Sequence, residues 1–170
     1  MAPTIWTLGH STHPIDEFIG LLGKHGVEVL ADIRSYPTSR WPQFKQEALM
    51  GSLGAARIEY AHIPELGGYR KRGYELHTTT PEFATGLQKL LSFARARRTV
   101  IMCAEAVFFR CHRRFVADAL VATGAEVFHI YPDGRTQPHR PRASLDRYSG
   151  GIGETGTGSP PATRARITKR

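Results

Sequence analysis

The sequence predicts an α/β protein, a three-layer α/β/α sandwich around a mainly parallel sheet of about five strands. Three observations carry this. Short β-prone runs alternate with segments of helical period, the pattern of right-handed βαβ units. Several of these runs are almost wholly apolar, as strands covered on both faces are. Each run also ends at a Gly, Pro or polar turn.

Residues 4–8 read as the first strand, stopped by Gly9. After the turn Gly9-His10-Ser11-Thr12-His13, Pro14 opens a helix at a position where its missing N–H costs nothing. Asp16 and Glu17 suit the helix dipole, and Ile15, Phe18, Ile19 and Leu22 repeat as one buried face that stops near Gly26. Residues 27–33 form a largely apolar second strand. The following loop holds Pro37 and Pro42, which exclude a helix there. A second helix is expected over residues 43–54, with Phe44, Leu49 and Leu53 turned inward. Residues 58–63 are the third strand, leading into Pro64-Glu65-Leu66-Gly67-Gly68. Residues 69–80, rich in Arg, Lys and Thr, read as a long polar loop, a feature often functional in compact domains. Pro81 opens a third helix, with Phe83, Leu87, Leu90, Leu91 and Ala94 on one face and Arg95, Arg97 and Arg98 at its C-terminal end. Val100-Ile101-Met102-Cys103 is the fourth strand. A short turn then leads to a helix that runs to about Thr123 and stops at Gly124. Residues 126–130 are the fifth strand, and Pro132-Asp133-Gly134 is a turn.

Residues 1–148 are therefore expected to form one domain. Residues 149–170 are Gly, Ser, Thr and Pro with scattered basic groups and read as a disordered tail, in which Arg164, Arg166, Lys169 and Arg170 face a lone Glu154. The chain has 170 residues, 41% of them hydrophobic, and no apolar run of the roughly 20 residues needed to span a bilayer. The N-terminus lacks the basic and apolar regions of a signal peptide. Two cysteines cannot build a disulfide framework. The expected location is the cytoplasm, with no membrane partner. The formal net charge of +8 favours polyanions; a solvated basic surface explains it equally well.

Strand C-terminal ends share one edge of a parallel sheet, and ligands bind there. That edge should gather His10 and Ser11, Asp32, Arg34 and Ser35, His62 and Glu65, Cys103 and Glu105, and a helix start carrying Cys111, His112 and Arg113. Glu105 is the expected proton-transfer residue, its carboxylate partly desolvated under Phe108 and Phe109; a salt bridge to Arg113 or Arg34 is the competing reading. Asp32 has the same two readings. His10 acts as acid, base or phosphate donor, or simply caps a turn. Cys103 is a nucleophile activated by nearby cations, or a small buried residue closing its strand. Its spacing to Arg110 is one residue longer than in the loop of cysteine phosphatases. Cys111 is better explained by packing on its helix face. A metal would need Cys103, Cys111 or His112 with His10 or His62, at spacings unlike those of a zinc finger, so no metal is expected. Arg34, Ser35, Arg40, Glu65, Arg110, His112 and Arg113 are candidates for substrate or phosphate binding. Tyr36, Trp41, Tyr69 and Tyr74, interleaved with Arg70 and Arg72, suit stacking on bases.

Several motifs together resemble the family called domain of unknown function 488. They are Thr7-Leu8-Gly9-His10-Ser11, Asp32-Ile33-Arg34-Ser35-Tyr36-Pro37, Pro42-Gln43-Phe44, Pro64-Glu65-Leu66-Gly67-Gly68, Cys103-Ala104-Glu105 with Cys111-His112-Arg113, and His129-Ile130 with Asp133-Gly134. The resemblance spans about residues 4–140 and supports a site without implying a reaction. Three functions follow from the residues: an enzyme acting on a phosphate-bearing substrate such as a nucleotide or nucleic acid, a non-catalytic nucleotide or nucleic-acid binding module, and a thiol- or metal-dependent protein using Cys103 and Cys111. The residues leave the cofactor unassigned.

Overall fold

Five parallel strands and one antiparallel edge strand make a single sheet in the order β3-β2-β4-β1-β5-β6, where β1 is Thr4–Gly9, β2 Val29–Asp32, β3 Glu59–His62, β4 Thr99–Cys103, β5 Glu126–Ile130 and β6 Thr136–Pro138. The computed structural model describes residues 1–142; the expected tail, and the domain boundary drawn before it, lie outside the described residues. Helices α1 (Ile15–Lys24) and α2 (Gln46–Ala55) cover one face through Phe18, Leu22, Leu49 and Leu53, with Leu8, Leu30, Val100 and Met102 beneath them. The opposite face carries α4 (Pro81–Ala96) and α5 (Arg113–Ala122), whose Phe83, Leu90, Val116 and Leu120 pack over Ile5, Ala31 and Ile101. These are the three predicted layers. Among the described residues, no helix is long and apolar enough to cross a membrane.

Three local differences from the sequence reading have simple causes. The helix expected over residues 43–54 is two pieces, because Pro42 starts a 3-10 turn (Pro42–Phe44) and Lys45 is extended before α2. Proline is tolerated at such a first position, so Pro42 begins a helical turn instead of excluding one. The long polar loop contains one helical turn, α3 (Tyr74–His77), anchored by Tyr74 and His77, both buried. β6 is three exposed residues that return through the Pro132–Gly134 turn and pair with β5. An edge strand this short carries no apolar alternation to read, and it tolerates Pro138 because its outer side is unpaired.

Candidate functional site

The register fixes the rim. Gly9 pairs with Cys103, Asp32 with Met102, and Asp32 with His62, so four strands end at one level. The gathering expected from parallel strands is present, but the pleat divides it. Successive side chains point to opposite faces of a strand. Asp32 shares the α1/α2 face with Met102, while Cys103 is turned to the α4/α5 face. The rim therefore holds two separate clusters.

On the first face, Asp32 is fully buried and accepts hydrogen bonds from Arg34 N (3.1 Å), Nε (2.9 Å) and Nη2 (2.7 Å), and from the Tyr60 hydroxyl (2.7 Å). Arg34 Nη1 donates to the Thr38 and Phe44 carbonyls. His62 Nε2 donates to the Arg34 carbonyl (2.8 Å). His10 stacks on Phe44, its ring centroid 4.3 Å away, and Nδ1 donates to the Ser11 carbonyl, which leaves Nε2 without a partner. Burial lowers its pKa. Ser11 takes a left-handed backbone (φ 44°), uncommon for a residue with a side chain, and its N–H bonds to the Ala104 carbonyl. This cluster clamps the β2 loop. The Arg34 guanidinium, expected on a phosphate, points inward and is spent on Asp32 and two carbonyls.

The second face carries the thiols. Cys103 Sγ and Cys111 Sγ lie 2.6 Å apart, in direct contact, and both cysteines are free. Cys111 precedes α5, so its sulfur also meets the Arg113 backbone N–H (3.4 Å) and His112 Nδ1 (3.4 Å). His112 Nε2 faces the Ile33 carbonyl at 3.0 Å. A carbonyl only accepts, so Nε2 carries a proton, and Nδ1 is left to exchange one with Cys111. The hydrogen bond from the Cys103 thiol, with His112 and the Arg113 charge, draws the Cys111 thiol well below the ordinary range. Burial and the Cys111 sulfur push Cys103 the other way. The lowered thiol is thus Cys111 rather than Cys103, and Cys111 packs in the core with α5 at 7% exposure. Cys111 opens onto a groove of about 470 Å³ lined by Tyr69, Glu105, Phe109, Arg110, His112 and Arg114, among others.

Two glycines make this packing possible. A Cβ on Gly9 would fall 1.6 Å from the Glu105 carbonyl oxygen, so the Cys103–Glu105 turn closes only over glycine. A Cβ on Gly68 would lie 2.5 Å from His112 Nδ1 and 2.9 Å from its Cγ. Gly68→Ala should therefore displace the ring and move the acid limb of the Cys111 alkylation rate up by about one pH unit. An unchanged limb would remove His112 from any role in activating the thiol.

Arg113 is fully buried and, among the described residues, forms no ion pair. Its Nη2 donates to the Glu105 (2.6 Å) and Ala106 (3.3 Å) carbonyls and Nη1 to Thr7 Oγ1 (3.2 Å), while Nε has no partner. From Thr7 a chain continues through His129 Nδ1 (2.7 Å), from His129 Nε2 to His139 Nδ1 (2.8 Å), and from His139 Nε2 to Asp118 Oδ1 (2.7 Å). Arg113 only donates and a carboxylate only accepts, so one direction serves the whole chain, with the Thr7 hydroxyl donating to His129 Nδ1 and each imidazole donating through Nε2. Burial, His139 and Arg113 lower His129 to about 3, which keeps its ring neutral. Sequence reasoning noted Thr7 and His129 only within motifs and gave Asp118 and His139 no role. The available signal was a polar residue in the middle of a buried strand, at Thr7 and again at His129.

The remaining candidates disperse. Glu105 is exposed, not desolvated; its backbone carbonyl, rather than its carboxylate, holds Arg113. Glu65 pairs with Lys89 on α4, and its carbonyl accepts from His77 and Arg70, away from the thiols. Lys89, opposing the effect of burial, keeps the Glu65 carboxyl below its usual range. Ser35 Oγ accepts from the Tyr69 N–H (3.0 Å). Arg40 is exposed over Trp41, and Arg110 is exposed at the groove. Among the described residues, no three His, Cys, Asp or Glu side chains are grouped to hold a metal ion.

Fold and site together define an α/β protein with a dithiol at the C-terminal rim of a parallel sheet. The chain belongs to the family described as Domain of unknown function DUF488, whose model matches residues 14–120. No curated protein and no solved structure matches it.

Proposed function

We propose that the chain is an enzyme of thiol–disulfide exchange, with Cys111 as nucleophile and Cys103 as the second thiol. The observation that carries this is the direct contact of the two sulfurs where Cys111 meets His112, the α5 N-terminus and an open groove. A thiolate in such a setting is the attacking species. The Cys111 thiolate attacks one sulfur of a substrate disulfide, forming a mixed disulfide and expelling a thiolate that takes a proton from His112. Cys103 then gives up its proton and attacks the Cys111 sulfur, and the second substrate thiolate leaves and takes that proton. The substrate disulfide is reduced to two thiols, and the Cys103–Cys111 pair is oxidised by two electrons. A small thiol reductant returns it to the dithiol. Glu105, exposed at the groove mouth, is available to move protons.

The test is trapping. With Cys103→Ser, a small disulfide should leave a stable mixed disulfide on Cys111, seen as added mass. The unaltered chain should instead lose the mass of two hydrogens. Alkylation of Cys111 should change little between about pH 6 and pH 8, where an ordinary thiol, with a pKa of about 8.5, gains close to tenfold per unit. Adducts on Cys103, or none on either cysteine, would end the reading.

A second reading, a phosphate-bearing substrate such as a nucleotide or nucleic acid, is favoured by one observation: Arg72 and Arg110 stand exposed beside Tyr36 and Tyr69. It draws on neither Arg34 nor Arg113, whose guanidinium groups are buried inside the fold.

A further inference from the structure

Six large hydrophobic side chains are exposed among the described residues, and four of them, Tyr36, Tyr69, Leu76 and Phe109, line two grooves that meet at Tyr69. One groove is the 470 Å³ opening over Cys111; the other, about 580 Å³, runs from Tyr36 along residues 69–80. Together they exceed what one small disulfide would fill. Exposed apolar side chains gathered this way mark an interaction surface. The charge is one-sided. Arg70, Lys71, Arg72, Arg110 and Arg114 line the grooves against Glu105 alone. Of these cations only Arg70 has an acidic partner among the described residues, Glu82.

The charge selects the occupant. A second copy of this surface would set cations against cations. The chain's own C-terminal segment has the wrong sign, with Arg164, Arg166, Lys169 and Arg170 against Glu154. We infer that the two grooves dock an acidic peptide segment of a partner protein, which delivers its disulfide to Cys111. This rests on the exchange reading above and names its substrate class. Aromatic side chains ringed by cations supply contact area at the centre and steering at the edge.

The test uses the full-length reduced chain and three disulfides: an Asp/Glu-rich peptide with an internal disulfide, the same peptide with lysine in place of each acid, and neutral 2-hydroxyethyl disulfide. The acidic peptide should oxidise the pair at least ~10-fold faster than the basic one at low ionic strength, with the gap closing as salt is added. The variant Lys71→Glu/Arg72→Glu, exposed and outside the thiol cluster, should lose that advantage and keep its rate with 2-hydroxyethyl disulfide. Equal rates for the two peptides, or equal slowing with the neutral disulfide, would overturn the proposal. A fluorescein-labelled, cysteine-free acidic peptide tests the surface separately by anisotropy: binding weakened by the charge reversal supports it, and displacement by a single-stranded oligonucleotide at lower concentration overturns it in favour of nucleic acid. If peptide binds but no disulfide reacts at Cys111, the exchange reading fails while the docking surface stands.

Discussion

Arg113→Met should lower stability by about 3–5 kcal/mol, since it takes a charged donor from two part-buried carbonyls and from the buried Thr7 hydroxyl, at about 1–3 kcal/mol each, partly offset by the methionine's own packing. In urea the midpoint should fall with an unchanged slope. On heating, the loss corresponds to about 10 °C for a chain of this size. The physical reason is the position of the guanidinium. It is fully buried, ties the Glu105 and Ala106 carbonyls to Thr7, and stands between the thiol pair and the His129–His139–Asp118 chain. The same substitution removes a positive charge that lowers both thiols. The acid limb of Cys111 alkylation should therefore move to higher pH. A thiol whose folded pKa lies below its unfolded value contributes stability that is complete above the unfolded value and is lost as pH falls through the folded one. The variant should lose part of that acid dependence. A loss below about 1 kcal/mol would mean that water satisfies the loop carbonyls once the guanidinium is gone.

Asp32→Asn should cost a similar amount, about 3–5 kcal/mol, because it leaves the buried Arg34 charge without its anion. Asp32 accepts from Arg34 and Tyr60 together, and an amide in its place offers only one acceptor oxygen. Arg34→Met in the Asp32→Asn background should recover part of the loss, which a double-mutant cycle in urea would measure. Thiol–disulfide exchange, measured on the folded fraction, should be unaffected, because Asp32 lies on the opposite face of the sheet from Cys103. A large drop in the exchange rate would bring Asp32 back as a participant in the chemistry.

Much of this architecture is legible in the residues. The runs before Gly9, Asp32, His62 and Cys103 are strands, and all four end on one edge because each pair is joined by a crossover helix. The motifs at those ends lie together on that edge, and Gly67-Gly68 stands among them. What the glycines do was not legible: the need at Gly68 arises from a ring 44 residues further along the chain. The burial expected for Glu105 fails for a related reason. Phe108 turns away to stack on His129, with ring centroids 3.5 Å apart, and Phe109 stays in solvent, so neither ring covers the carboxylate.

The α/β alternation, the parallel rim and the reactive groups along it follow from the residue pattern alone, because strand direction and βαβ handedness are set locally. Which of those groups touch one another is a matter of packing in three dimensions. A pleat assigns neighbouring rim residues to opposite faces, and partners far apart in the chain decide which donors are spent. Those two facts consign Asp32 and Arg34 to a buried clamp and set the Cys111 sulfur against Cys103 and His112.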